Sequence, residues 1–110
     1  ALEPLRLVGI SWHTHLMRKL YLSPEVTSGT DMQPLVDFAL SNGHPVLHMY
    51  LHSSSLIDGG TGLMTAPNAM QVIQKNIRTL LDYAHQRANL TFCTLSEASA
   101  LVSQRVGIAA

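Results

Sequence analysis

The run Pro45-Val46-Leu47-His48-Met49-Tyr50-Leu51-His52-Ser53 decides how the chain is read. Val46, Leu47, Met49, Tyr50 and Leu51 form a short, nearly continuous apolar segment. It lies between Asn42-Gly43 on one side and Ser53-Ser54-Ser55 and Asp58-Gly59-Gly60 on the other. A strand covered by helices on both faces reads this way. In folds of that kind the chemistry sits at the C-terminal edge of a strand, where loops decide what is exposed. His52 occupies that edge.

On either side of this run the periodicity is helical. Met32, Leu35, Val36, Ala39 and Leu40 predict a helix over residues 32–41, with Asp31 as N-cap, Pro34 in the first turn and Gly43 as a left-handed C-terminal cap. A loop should follow the strand, over residues 53–65. The longest element is then expected from about residue 67, capped by Thr65, to residue 87. Met70, Ile73, Ile77, Leu80, Leu81 and Ala84 fall on one stripe, opposite Gln71, Gln74, Lys75, Arg78, Asp82 and Gln86. Residues 90–93 read as a second short strand. Thr94 and Glu97 have capping-box spacing, which opens a last helix over residues 95–104. Nearer the start, Leu5, Leu7, Val8 and Ile10 outline a short strand around Arg6, and Thr27-Ser28-Gly29 closes a loop. This order predicts a single α/β domain over residues 1–110, made of βα units with a small parallel sheet.

Composition limits the partners. The chain has 110 residues, 46% hydrophobic and 13% charged, which suits a packed domain. Seven basic residues balance seven acidic ones, so no charge footprint for nucleic acid or an anionic membrane is present. No apolar run approaches the ~20 residues of a membrane helix, and no signal-peptide pattern opens the chain. Ala1 in place of a methionine reads as a processed chain or a piece of a longer one. The single cysteine, Cys93, excludes an internal disulfide and reads as a small buried thiol in the second strand. Asn89-Leu90-Thr91 has glycosylation-acceptor spacing, which matters only for a secreted eukaryotic chain. The compartment stays open.

Six histidines invite a metal reading. His44, His48 and His52 make two overlapping H-x-x-x-H spacings, which would converge on a helix. On a strand, four residues at about 3.3 Å each hold His48 and His52 about 13 Å apart, too far for bonds of about 2 Å to one ion. No metal site is therefore assigned to them, and His48 reads as a strand histidine that bonds a neighbour or lies near a helix. His13 and His15 flank Thr14 with no carboxylate or cysteine close by, and read as loop. Nucleotide and nucleophile-elbow motifs are absent, and Asp58-Gly59-Gly60-Thr61-Gly62 suits turns better than phosphate.

The segment from Val46 to Leu56, the long helix after it and the closing Thr91-Phe92-Cys93-Thr94-Leu95-Ser96-Glu97 together resemble the C-terminal portion of polysaccharide deacetylases with the NodB homology domain. Leu22-Ser23-Pro24-Glu25 is similar to the approach to that region. The resemblance covers roughly residues 20–103 and implies the C-terminal half of a distorted (β/α) barrel. It further implies hydrolysis of acetyl groups from amino sugars, with a divalent metal such as zinc in a complete family member. On this likeness His52 would be the general acid for the leaving group, and Leu51 would line the pocket for the acetyl methyl. The family's paired aspartates and helical H-x-x-x-H are missing, so of the electrophile, base and acid that deacetylation needs, only the acid is visible.

Three readings follow. The chain is a C-terminal deacetylase portion, inactive alone; or a small α/β binding or oligomerisation module without catalysis; or an unrelated enzyme built across an oligomer interface around His52. A carbohydrate substrate belongs to the first. In each, helix stripes that outrun a two- or three-stranded sheet need a cover, from a missing N-terminal half or from a homo-oligomer.

Overall fold

The computed structural model describes residues 20–105, and within them the architecture is helical. Helix α1 spans Gly29–Ser41, a short 3-10 turn spans Ser53–Leu56, α2 spans Ala69–His85 and α3 spans Leu95–Arg105. The proposed strand over residues 5–10 and the pair His13 and His15 lie outside the described residues.

The expected α/β fold with a parallel sheet is overturned: no strand occurs among the described residues. Residues 46–52 and 89–94 do run as irregular connecting chain, as their lack of helical periodicity demands. A strand also needs a partner ladder, and among the described residues the backbone of residues 46–51 makes one such bond, from Tyr50 N–H to Leu22 C=O at 3.2 Å. A short apolar run specifies burial but names no partner. The helices meanwhile bury their stripes on each other. Met32 and Val36 of α1 pack against Leu80 and Ala84 of α2, with Leu22, Met49 and Tyr83 around them. A second cluster gathers Met64, Ala69 and Ile73, with Leu51, Leu56 and Ile77 against it.

Each helix starts on a different device. α1 begins three residues before the expected start, with Ser28 rather than Asp31 as N-cap: the Ser28 hydroxyl accepts from Asp31 N–H at 3.1 Å. Pro34 consequently lies inside the helix. The C-terminal cap is as expected: Gly43 has φ +65°, and His44 N–H and Gly43 N–H donate to Ala39 and Leu40 C=O in a Schellman arrangement. α2 begins at Ala69 and is not capped by Thr65. Asn68 sits in the left-handed region and gives no side-chain cap. The Asp58 carboxylate, ten residues upstream, accepts from Asn68 N–H at 3.0 Å and Ala69 N–H at 2.7 Å. Those two bonds, Ala69's the stronger influence, hold the Asp58 carboxyl below its ordinary range. α3 opens on the expected capping box, with Glu97 accepting from Thr94 N–H at 2.6 Å and Thr94 Oγ1 accepting from Glu97 N–H at 3.3 Å.

Between α1 and α2 the approach is close. A Cβ on Gly29 would lie 2.6 Å from both the Asn76 carbonyl oxygen and Thr79 Cβ, so only glycine admits this crossing. Farther along, Tyr83 O–H donates to Asp37 at 2.7 Å, and the Arg87 guanidinium stacks 3.4 Å over the Tyr83 ring. Two side chains depart from expectation. Met70 is half-exposed, because the buried stripe of α2 runs through Ala69, Ile73, Leu80 and Ala84. Cys93 is exposed, because the extended segment that carries it has no sheet over it.

Candidate functional site

Residues 23–27 form a tight turn, in which Val26 and Thr27 N–H both donate to Ser23 C=O. Asn76 of α2 clamps this turn to α1: its amide nitrogen donates to Pro24 C=O at 2.9 Å, and its amide oxygen accepts from Gly29 N–H at 3.1 Å. The clamp holds Glu25 inward, with its side chain only 1% exposed.

A buried carboxylate needs donors. Glu25 Oε1 lies 2.7 Å from His52 Nδ1, and Oε2 accepts from His52 N–H at 3.2 Å. The Ser55 side chain is a further partner. Ser55 is fully buried, and its Oγ is 2.8 Å from Thr61 Oγ1. The 3-10 turn fixes the spacing, with Ser55 N–H donating to His52 C=O at 2.9 Å. Burial pushes the Glu25 carboxyl up, but the hydrogen bonds from Ser55, His52 side chain and His52 backbone, with the His52 charge, outweigh it. The carboxyl is held below its ordinary value of 4.5. Ser23 Oγ is buried with no hydrogen-bond partner among the described residues.

The result is asymmetric. Glu25 is enclosed, while the His52 side chain is 60% exposed. A carboxylate against Nδ1 selects the tautomer with its proton there, and leaves Nε2 as the ring nitrogen that can exchange a proton with a substrate or water. This is how an acid–base histidine is oriented. Sequence reading singled out His52 and missed the role of Glu25, 27 residues away; the one signal was an acidic residue in an apolar Leu-Ser-Pro-Glu turn.

The other candidates do not join this pair. Leu51 packs against the Met64, Ala69 and Ile73 cluster. His44 stacks on Phe38 at 5.7 Å between centroids, and His48 tilts against Tyr50 at 6.5 Å. No group of three or more His, Cys, Asp or Glu converges on a common point among the described residues, so these residues do not fit the divalent metal implied by the resemblance. A groove of about 610 Å³ opens elsewhere, against residues 44–49 and 88–95, and neither Glu25 nor His52 lines it. No helix among the described residues is long and apolar enough to cross a membrane.

No family model, curated protein or solved structure matches the chain. Hydrolase and deacetylase therefore gain no support from these comparisons, and α/β is replaced by the helical architecture above.

Proposed function

We propose that Glu25 and His52 are the proton-transfer pair of a hydrolytic site, with His52 Nε2 delivering a proton to a leaving group and Glu25 holding the ring. The observation that carries this is the 2.7 Å contact between an enclosed carboxylate and an exposed imidazole. The sequence resemblance supplies the substrate class, acetylated amino sugars, and the chain is on this reading the C-terminal portion of a polysaccharide deacetylase. The electrophile that polarises the acetyl carbonyl and the base that activates water belong outside residues 20–105, so the chain alone releases no acetate. In the longer polypeptide, His52→Ala should lower kcat for acetate release by about a hundredfold or more, with KM little changed. A longer polypeptide indifferent to that substitution would overturn the assignment.

The second reading, an oligomerisation module without catalysis, is favoured by a separate observation: an apolar groove of about 610 Å³ lies away from His52.

A further inference from the structure

Thr61 reaches the enclosed side of the Glu25–His52 pair from a loop. Gly60 N–H donates to Ile57 C=O at 2.9 Å, and a Cβ on Gly60 would overlap the Ser54 carbonyl oxygen, so the chain folds back flush against the 3-10 turn. Six residues after Ser55, Thr61 thereby brings its Oγ1 to 2.8 Å from Ser55 Oγ. Asp58 ties the same loop to the start of α2 through Asn68 and Ala69 N–H. The Asp58-Gly59-Gly60-Thr61 run is thus more than a turn: it seats Thr61 behind Ser55, which bonds Glu25, which in turn holds His52.

We infer that Thr61 is a positioning residue of this site: its hydroxyl donates to Ser55 and so turns the single Ser55 proton onto the Glu25 carboxylate behind His52. Its consequence for catalysis rests on the reading of Glu25 and His52 as a proton-transfer pair. Two acceptors compete for the Ser55 proton, the carboxylate and Thr61 Oγ1. A hydrogen bond to an ionised acceptor is about twice as strong as one between neutral groups, so the carboxylate wins. The 2.8 Å contact between the two hydroxyls is then made with the Thr61 proton. Thr61 Oγ1 meanwhile accepts from Leu63 N–H at 3.3 Å, which engages a lone pair and leaves its proton for Ser55. A hydroxyl whose oxygen accepts a bond donates more strongly through its own proton. Burial pushes the Glu25 carboxyl up, and Ser55 is foremost among the groups that bring it down, so Thr61 lowers it further through Ser55. His52 is the titratable group that faces Glu25 among the described residues. The lower the carboxyl is held, the farther into acid it remains the charged acceptor that orients His52 Nδ1.

The sign of one titration decides the direction of this chain of bonds. In residues 1–110, the carbon-13 signal of the Glu25 carboxyl and the nitrogen-15 signal of His52 Nδ1 both follow protonation of Glu25. Thr61→Val keeps the shape and removes the hydroxyl. It should move the inflection to higher pH, while Thr61→Ser leaves it where it stands in the parent. Ser55→Ala should move it further in the same direction. Were Ser55 to donate to Thr61 instead, Thr61→Val would release the Ser55 proton to Glu25 and move the inflection to lower pH. A shift to lower pH, no shift at all, or an equal shift in Thr61→Ser would overturn the inference. Thr61 is only partly buried, so its two variants should keep the helical circular dichroism of the parent, and they carry the test if Ser55→Ala, at a fully enclosed position, misfolds. None of these readouts needs turnover. Unchanged acetate release after His52→Ala in the longer polypeptide would remove the proton-transfer reading and leave the titrations as they are.

Discussion

At residue 25 two opposing effects meet, and their balance sets a pH dependence. Enclosing a carboxylate disfavours its charge, yet three donors from His52 and Ser55 more than offset this, so the folded carboxyl titrates below 4.5. A folded pKa below the unfolded one means that Glu25 stabilises the fold above about pH 5 and that this contribution disappears as pH falls through the lowered value. Glu25→Gln keeps the shape but removes the charge. It should cost about 1–3 kcal/mol at pH 7 and flatten the loss of stability on acidification below about pH 5, measured by urea unfolding at each pH. The same substitution should move the His52 proton from Nδ1 to Nε2, because an amide N–H₂ facing Nδ1 needs an acceptor there. Nitrogen-15 spectra of the imidazole read the tautomer; an unchanged tautomer in the variant would remove Glu25 from the orienting role.

Helices α1 and α2 depend on contacts of quite different range. The Schellman cap at Gly43 and the Thr94–Glu97 box are written in adjacent residues, and both were legible without coordinates. Pro67 and Thr65 gave a local signal for the start of α2 that the fold does not use. Asp58 reaches across a loop to cap Ala69 instead, and no spacing rule in a single sequence announces a cap eleven residues away. Gly29 belongs to the same class. It reads as loop glycine, yet it is the point where α1 touches the backbone of α2 at Asn76. Gly29→Ala raises intrinsic helix propensity, which by itself would stabilise by up to about 1 kcal/mol. The clash with a main-chain carbonyl should win, for a net loss of about 1–3 kcal/mol and a lower melting temperature. A more stable variant would show that the crossing is loose.

Among the described residues the core is two apolar clusters threaded on one helix. Leu80 and Ala84 serve the first and Ala69 and Ile73 the second, so neither cluster can be lost without straining α2. Ile73→Ala and Leu80→Ala should each cost about 2–5 kcal/mol, a large part of the stability of so small a domain. Each variant should still melt in a single transition. A biphasic melt by circular dichroism would mean that the clusters fold separately. The sequence by itself determined what nearest neighbours control: the three helices among the described residues, the stripe from Ile73 to Ala84 and two of the caps. It read residues 46–51 and 90–93 as strands of a parallel sheet, and no strand occurs among the described residues. Periodicity reports how a segment wishes to be buried, whereas a ladder requires a second segment at bonding distance. Only the tertiary structure decided that α1 and α2 cover each other, that Cys93 and Phe92 stay exposed, and that a glutamate 27 residues upstream holds His52, because each depends on where distant parts of the chain meet.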